Sequence, residues 1–305
     1  MSGIAIGRRD RVDAGAAAIL VVLCMLWGVQ QVAVKVALAG GLPPVLQAAL
    51  RSGGAASCVA LWMAARGGGV PRLAALRGGA FWPGIAIAVL FAAEFLALNP
   101  GLHLTTASRG VVFLYTAPFF TALGTHLFVP GERLRMRAAA GLVIAFGGVA
   151  IAFAEGLRSS GGSIAGDLLC LLGGALWGAT TAMVKAVPAL SRLSSSEVAL
   201  WQLGGSAPIL LVAAIALGEL HPWPQVTALA WGALFYQTVI VAFLSYLVWF
   251  WLILNYPAGR IAGFTFLTPV FGVLAGAVLL GEHASGALVL SVVAIAVGLR
   301  LVNSR

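Results

Sequence analysis

Charged residues are scarce in this sequence. Asp, Glu, Lys and Arg together make up 9% of the 305 residues, whereas an average soluble domain contains about 25%. Hydrophobic residues make up 61%, and the mean hydropathy is +1.03. A soluble protein of this length could not bury so much evenly distributed apolar surface in one core. The composition therefore predicts an integral membrane protein.

Cysteine and histidine are also few, and neither forms a pattern typical of a chemical site. Cys24, Cys58 and Cys170 stand alone in apolar stretches without metal-ligand spacing, and such thiols behave as small hydrophobes. The four histidines are scattered along the chain, and a phosphate-binding Gly-Lys-Ser/Thr loop is missing. The sequence therefore predicts no metal, no other cofactor and no ATP hydrolysis, which makes an integral membrane enzyme the disfavoured alternative.

Acidic residues are outnumbered by basic residues, 9 against 18, which gives a net charge of +9. In a soluble protein this excess would suggest nucleic acid, but here the basic residues lie mostly in short segments between apolar stretches, where they determine membrane orientation. We expect no nucleic-acid partner. With the N-terminus in the cytoplasm, the outer segments contain Arg109 and Arg158, and the inner segments contain Arg8, Arg9, Arg11, Arg66, Arg72, Arg77, Arg133, Arg135, Arg137, Arg192, Arg260, Arg300 and Arg305.

Breaks rich in glycine, proline, serine or charge divide the chain into ten apolar segments. A membrane core of about 30 Å needs roughly 20 helical residues, and the segments have about this length. We predict an all-α integral membrane protein with ten transmembrane helices and both termini in the cytoplasm. The predicted spans are Ala14–Val36, Pro44–Ala65, Phe81–Asn99, Ala107–Phe128, Arg137–Ala154, Ala165–Val187, Ser195–Leu217, Val226–Leu252, Ala258–Leu280 and Gly286–Val302.

Several short patterns occur twice, about half a chain apart. Trp27-Gly28 leading to Lys35 is repeated as Trp177-Gly178 leading to Lys185, Gly131-Glu132 as Gly281-Glu282, and Arg109 leading to Pro118 as Arg260 leading to Pro269. Because each half has an odd number of spans, the second half must enter the membrane from the opposite side. We predict two inverted five-helix repeats, residues 14–155 and 156–305, after a cytoplasmic tail of residues 1–13. Such duplication is typical of transporters.

The N-terminal segment has some features of a secretory signal. Arg8, Arg9 and Arg11 precede an apolar run that ends at Ala37-Leu38-Ala39, which is similar to a cleavage site. The run is too long for a signal, however, and its Trp27 pattern is repeated at Trp177. We expect it to be the first helix of the folded bundle.

The chain resembles the drug/metabolite transporter superfamily, and more narrowly its EamA-type exporters, which include exporters of aromatic amino acids. The resemblance extends from Ala14 to Val302. It implies a bacterial inner-membrane carrier that works by alternating access, with a cavity lined chiefly by helices one, three, four, six, eight and nine. It leaves the substrate open among amino acids, nucleotide-like metabolites, quaternary ammonium compounds and lipid-linked sugars. The residues that carry it are Trp27, Gly28, Lys35, Arg109, Pro118, Gly131, Glu132, Trp177, Gly178, Lys185, Arg260, Pro269, Gly281 and Glu282.

Polar groups inside membrane spans are costly and are the first candidates for a binding site. Glu94 lies in the middle of the third span and could bind a substrate ammonium or carry a coupling proton; a paired structural carboxyl is the alternative. Gln30 and Gln31 share a helical face with Trp27, as Thr180 and Thr181 do with Trp177. An aromatic wall beside polar groups suits a small amphipathic ligand, and helix packing over Gly28 and Gly178 is the alternative.

The eighth span is the most polar one. Its centre contains Tyr236 and Gln237, which we predict to line the site, whereas Trp249 and Trp251 near its end are typical of an interfacial aromatic belt. Tyr115 precedes Pro118 and Phe264 precedes Pro269, so both aromatic residues are site candidates. The two prolines are candidate hinges, because proline removes a backbone hydrogen bond and can kink a helix; ordinary shaping of the bundle is the alternative.

Four further charged residues lie near span ends or outside the expected site. Lys35 and Lys185 could form gating or charge contacts with a carboxylate, or could extend to the lipid headgroups. Arg51 lies in the second span, which we expect to be peripheral. Glu132, like Glu282, follows a glycine at a turn and is a candidate cap or gate contact.

The sequence therefore predicts a secondary transporter that exports small amphipathic metabolites by alternating access. Amino acids with aromatic or bulky apolar side chains are the preferred substrates. A flippase or exporter of a lipid-linked or other metabolite with the same fold is the alternative. The expected partners are the small-molecule substrate and the lipid bilayer; a monomer and an oligomer both stay open, as do proton coupling, exchange and facilitated movement.

Overall fold

The computed structural model describes residues 11–66, 79–105, 107–154, 163–221, 225–280 and 287–304. Over these ranges the chain forms α-helices and one π-helical segment. The α-helices are α1 (Ala14–Ala39), α2 (Pro44–Ala65), α3 (Phe81–Leu104), α4 (Ala107–Leu114), α5 (Ala117–Phe128), α6 (Met136–Ala152), α7 (Ile164–Ala186), α8 (Pro188–Ser191), α9 (Ser195–Ala216), α10 (Ala228–Phe235), α11 (Tyr246–Asn255), α12 (Ala258–Phe264), α13 (Leu267–Leu280) and α14 (Ala287–Asn303). The π-helical segment, Tyr236–Ser245, joins α10 to α11 without a break.

Seven helical stretches in the described ranges are long and apolar enough to cross a membrane. They are Ala14–Ala39, Phe81–Leu104, Arg109–Phe128, Ile164–Ala186, Ser195–Ala216, Ala228–Asn255 and Ala258–Leu279. Met136–Ala152 and Val289–Asn303 are apolar but shorter. The prediction of an all-α integral membrane protein is confirmed. Gly281-Glu282 and Arg158 lie outside the described residues.

Side chains at the helix starts explain several of the helix boundaries. Asp13 accepts a hydrogen bond from the Ala16 amide at 2.8 Å, and Ser163 accepts one from the Gly166 amide at 3.1 Å. Ser194 and Glu197 form a reciprocal capping box at the start of α9. These contacts satisfy amide groups that have no partner in the first turn of a helix.

Hydrogen bonds between helix ends define two opposite ends of the bundle. At one end, Tyr256 donates its hydroxyl hydrogen to Oδ2 of Asp13 at 2.8 Å; we call this the Asp13 end. At the other end, the carboxylate of Glu219 accepts hydrogen bonds from the amides of Val45 at 3.2 Å and Leu46 at 2.6 Å, which caps α2; we call this the Glu219 end. The Thr227 amide donates to Gly40 O at 3.0 Å there as well, so the end of α1 and the starts of α2 and α10 lie together.

Two spans are interrupted close to a proline. Helix α4 ends at Leu114 and α5 begins at Ala117, with Pro118 as its second residue. Likewise α12 ends at Phe264 and α13 begins at Leu267, two residues before Pro269. Proline fits the first turn of a helix because the amide that it lacks would have no partner there. The sequence predicts a kink at these positions, and the structure contains a two-residue turn between the two helices of each span.

Two glycines of the repeated pattern allow close helix contacts. A Cβ atom at Gly28 of α1 would lie 2.6 Å from Cβ of Phe271, and one at Gly178 of α7 would lie 2.5 Å from Cβ of Phe120. Any side chain at either position would displace the neighbouring helix. The two glycines therefore allow α1 to pack closely against α13 and α7 to pack closely against α5.

Candidate functional site

A cavity of about 210 Å³ lies among α1, α2, α3, the end of α4, α7, α9 and the helix from Ala228 to Asn255. Its wall includes Leu38, Pro44 and Leu102, which lie at the Glu219 end of their helices. It also includes Trp177 and Phe250, which lie far along α7 and α11 from that end. The cavity therefore extends from the Glu219 end deep into the bundle. We call it the Trp27 cavity.

Seven of the nine predicted site residues line the Trp27 cavity, and two do not. The lining residues are Trp27, Gln30, Glu94, Tyr115, Trp177, Thr181 and Gln237. Tyr236 instead donates its hydroxyl hydrogen to Leu26 O at 3.0 Å and ties the π-helical segment to α1. Phe264 is buried in the apolar core, and its carbonyl oxygen accepts a hydrogen bond from Cys24 Sγ at 3.2 Å.

Aromatic rings form two walls of the cavity. Trp27 packs edge-to-face on Trp249 with ring centroids 5.1 Å apart, and on Tyr246 at 6.4 Å. Tyr115 and Trp177 pack edge-to-face at 5.7 Å. The assignment of Trp249 to an interfacial belt is wrong, because its side chain is only 5% exposed and faces the cavity.

Within the part of the chain that the structure describes, seven buried polar atoms of cavity residues have no hydrogen-bond partner. They are Nε2 of Gln47, Nε and Nη2 of Arg51, Oε2 of Glu94, Nδ2 of Asn99, Oε1 of Gln202 and Nε2 of Gln237. Leaving one such group unpaired costs about 1–3 kcal/mol, and more when the group is charged. A ligand with several polar groups would satisfy them, so the cavity suits an amphipathic molecule.

Two of the cavity walls differ from the expectation. Helix α2 contributes Gln47 and Arg51, although the sequence predicts a peripheral second span. Helix α9 contributes Gln202, although the seventh span is not among the helices that the resemblance names as the main lining. Among the described residues of α12 and α13, none lines the cavity, so the expected contribution of the ninth span is wrong. Glu94 is a site candidate because a charged residue inside a membrane span is rare and usually functional. The same rule applies to Arg51 and would have identified it as a site residue.

A second cavity of about 1070 Å³ lies at the Asp13 end. Its lining is strongly basic and includes Arg11, Arg133, Arg135, Arg137 and Arg260. The sequence predicts that these arginines share the cytoplasmic side. The structure brings them to one end of the bundle.

Lys185 lies between the two halves of the chain at this basic cavity. Its ammonium donates to the main-chain oxygens of Ile253 at 2.7 Å, Leu254 at 3.2 Å and Tyr256 at 2.8 Å. Oε1 of Glu132 lies 3.5 Å from the same Nζ atom. Cations stabilise the C-terminal carbonyls of a helix, so Lys185 fixes the end of α11. The alternative that Lys185 extends to the headgroups is wrong, because its side chain is buried, whereas Lys35 is exposed.

Glu132 connects the same network to the next helix. Its Oε2 accepts a hydrogen bond from the amide of Ala258, the first residue of α12, at 2.9 Å. Burial raises the pKa of Glu132 above the ordinary range, and the nearby Lys185 ammonium opposes this rise. Glu132 is thus a helix cap and a charge contact, as its position after Gly131 predicts.

The Glu219 end contains a different ion pair. Arg109 contacts Asp167 through Nη2, and its Nε donates to Oδ1 of Asp167 at 3.1 Å. Thr105 donates to the same oxygen at 2.7 Å. The network joins the junction of α3 and α4 to the first turn of α7.

Comparison with known proteins identifies the family. A model of the EamA-like transporter family matches residues 15–154 and again residues 164–304. The "Probable amino-acid metabolite efflux pump" of Escherichia coli is 30% identical over 292 residues, and its counterpart in Salmonella typhimurium is 31% identical; each match covers 93% of both chains. The "Uncharacterized transporter YvbV" of Bacillus subtilis is 28% identical over 301 residues, which are 95% of this chain and 92% of that one.

A solved crystal structure has the same fold. It superposes with a TM-score of 0.77 at 20% identity and covers 94% of this chain and 97% of that chain. Since the family model covers both halves of the sequence and relatives of similar length are named transporters or efflux pumps, the protein belongs to the EamA-like transporter family and is a membrane transporter.

Proposed function

We propose that this protein is a secondary transporter that exports small amphipathic metabolites by alternating access. Amino acids with aromatic or bulky apolar side chains are the proposed substrates. The observation that carries the proposal is the Trp27 cavity, in which aromatic walls and partnerless polar atoms lie side by side. Relatives named amino-acid metabolite efflux pumps support the direction and the substrate class.

The size of the cavity supports a small substrate. Its volume of about 210 Å³ is below the range of about 300–1,000 Å³ usual for sites that hold drug-sized ligands. One amino acid suits this space better than a lipid-linked sugar does. The names of the relatives describe transport, so we infer that the protein is not an enzyme.

We further infer ten spans in two inverted five-helix units, residues 14–155 and 156–305. The spans in order are α1, α2, α3, α4–α5, α6, α7, α9, the helix from Ala228 to Asn255, α12–α13, and α14. If the two repeats are equivalent, each span corresponds to the span five places away in the chain. The contact of α1 with α13 then corresponds to the contact of α7 with α5. The contact of α3 with α7 likewise corresponds to the contact of α10 with α1. The contacts of α6 with α14 and of α2 with α9 each join a span to its own counterpart in the other repeat. This is the pattern of a two-fold pseudo-symmetric pair, and the double match of the family model supports it.

The charge distribution supports an orientation in a bacterial inner membrane. The arginines around the second cavity lie at the Asp13 end, and cytoplasmic segments are rich in Arg and Lys. We therefore infer that the Asp13 end and both termini are cytoplasmic. In this orientation the Trp27 cavity extends toward the outside, and the contacts of Lys185 with Glu132 and α11 lie on the cytoplasmic side of the cavity.

The two interrupted spans support a hinge role for Pro118 and Pro269. Broken helices at matched positions of two repeats are common where transporters bind substrate. Tyr115, in the break between α4 and α5, lines the cavity. Lys185 acts as a gating contact on the cytoplasmic side, and we propose the same role for Lys35 on the outer side because the two lysines occupy equivalent positions of the repeat.

Transport by purified protein in liposomes tests the proposal. Labelled phenylalanine, tryptophan, leucine, a nucleoside, a quaternary amine and a polyprenyl lipid are offered to wild type, Trp27→Ala and Trp82→Ala. Trp82 is the matched control because its side chain is 76% exposed. We expect transport of the amino acids by wild type, a rate about tenfold or more lower in Trp27→Ala, and a near wild-type rate in Trp82→Ala. Movement of the lipid or the amine alone would contradict the substrate class.

A further inference from the structure

We propose that Arg51 and Glu94 form a subsite for a zwitterion, in which Arg51 binds the carboxylate of the substrate and Glu94 binds its ammonium group. The inference rests on the proposed amino-acid transport and specifies which part of the substrate is recognised. It assigns a binding role to α2, the span that the sequence places outside the site.

The guanidinium of Arg51 is held in place by aromatic rings. Its Cζ atom lies 4.6 Å from the centroid of the Phe95 ring and 5.9 Å from that of Phe91. The residue is 3% exposed. Stacking on aromatic faces orients a guanidinium and leaves its N–H edge available. Arg51 is therefore oriented before any ligand arrives.

The available edge of Arg51 matches a carboxylate. Nε and Nη2 lie on the same edge of the planar group, and neither has a hydrogen-bond partner among the described residues. Two parallel N–H groups of this kind bind both oxygens of one carboxylate. A buried cation without its counter-charge is costly, so an anionic group in the cavity would relieve a large penalty.

Glu94 supplies a carboxyl group in the same cavity. Its Oε2 has no hydrogen-bond partner in the described ranges, and the residue is 7% exposed. Arg51 and Glu94 influence each other electrostatically. Both are described residues, and no direct ion pair joins them. Since neither group is taken up by the other, both stay available to the charged groups of a ligand.

The rest of the cavity is consistent with an α-amino acid bound in this way. Amide groups of Gln47, Gln202 and Gln237 lie on the wall with partnerless atoms and would hydrogen-bond the polar end of the ligand. The rings of Trp27 and Trp177 would contact its apolar side chain. A cation lacking a carboxylate would leave Arg51 unpaired and would bind more weakly.

Matched ligand pairs test the assignment. Binding to purified protein is measured by calorimetry for phenylalanine, tryptophan and leucine, for the amines that lack the carboxylate (phenethylamine, tryptamine and isoamylamine), and for 3-phenylpropionate, which lacks the ammonium. The variants are Arg51→Gln, Arg51→Lys, Glu94→Gln and the control Trp82→Ala. Thermal unfolding is recorded for each variant, and Arg51→Lys, which keeps the charge but not the planar edge, serves if Arg51→Gln does not fold.

We expect wild type and Trp82→Ala to prefer each amino acid over its amine by about 10- to 100-fold. Arg51→Gln should remove this preference, Arg51→Lys should reduce it, and Glu94→Gln should selectively remove the preference for phenylalanine over 3-phenylpropionate. An unchanged preference in the Arg51 variants, or tighter binding of the amines to wild type, would overturn the subsite while amino-acid transport could still stand. Transport of no amino acid by wild type would instead overturn the proposed function.

Discussion

Trp27 donates its indole N–H to Oγ of Ser245 over 2.8 Å. This bond joins α1 to the last residue of the π-helical segment, and Ser245 in turn donates to Val241 O at 2.6 Å. The ring of Trp27 is thereby fixed in the wall of the cavity. π-helical turns are frequent at functional sites, and here the segment carries both Ser245 and the cavity residue Gln237.

Replacing Ser245 with alanine should loosen the Trp27 ring without removing it. The indole N–H would lose its partner, at a cost of about 1–3 kcal/mol for a buried donor. We expect weaker binding of aromatic amino acids to Ser245→Ala than to wild type, by a smaller factor than in Trp27→Ala. Calorimetric titration of phenylalanine checks this order. Equal affinity in wild type and both variants would show that the Trp27 ring does not contribute to substrate binding.

The two repeated glycines should be intolerant of a single methyl group. A Cβ atom at Gly28 or Gly178 would lie within about 2.6 Å of a neighbouring helix, and overpacking of this kind costs about 1–3 kcal/mol. Gly28→Ala and Gly178→Ala should both lower the temperature of unfolding in detergent. A Cβ atom at Gly147 of α6 would meet no neighbouring atom within 4 Å, so Gly147→Ala is the control and should unfold near wild type.

Loss of the Lys185 ammonium should destabilise the Asp13 end. Lys185→Met leaves three main-chain oxygens and Glu132 without their cation, and breaking a buried ionic contact costs about 3–5 kcal/mol. We expect a clear fall in the unfolding temperature, measured by size-exclusion chromatography after heating. Lys35→Met is the matched control, because Lys35 is exposed, and it should unfold closer to wild type. Equal falls in the two variants would argue against the special role of Lys185.

The cap on α2 should matter for binding as well as for stability. Glu219→Ala removes the acceptor for the Val45 and Leu46 amides, and loss of a helix cap costs about 0.5–2 kcal/mol. Because α2 carries Arg51, we also expect weaker amino-acid binding. Glu197→Ala, which breaks the capping box of α9, gives a comparable loss of stability for reference. Unchanged binding in a destabilised Glu219→Ala protein would show that the cap is not needed to position Arg51 for binding.

Part of this architecture can be predicted from the sequence because membrane helices are marked by their length and composition. The apolar runs locate the helices to within a few residues, and the repeat around Trp27 and Trp177 identifies two residues of the cavity wall. Their depth in the spans and their spacing from Gln30 and Thr181 depend only on the local order of residues along one helix, so both can be predicted from the sequence.

Other parts depend on which face of each helix meets its neighbours. Lipid is as apolar as a protein core, so an apolar helix contains little information on the face that lines a cavity. This is why Trp249 looks like a belt residue and why α2 looks peripheral. The π-helical segment adds an irregular turn, and the structure directs Gln237 to the cavity and the adjacent Tyr236 to Leu26. The contacts of Lys185 with the carbonyls of α11 and of Tyr256 join residues 68 to 71 positions apart. A local sequence pattern cannot predict contacts over such a separation.

The central claim is that the Trp27 cavity is the chamber through which substrate passes. Substrate protection of a cysteine at Gln237 tests it most directly. Gln237→Cys is made with Cys24, Cys58 and Cys170 replaced by serine, and is labelled with a membrane-impermeant maleimide in the presence and absence of phenylalanine, tryptophan or leucine. We predict labelling from the outer side that slows when a transported amino acid is added. Labelling that no transported substrate slows would contradict the claim.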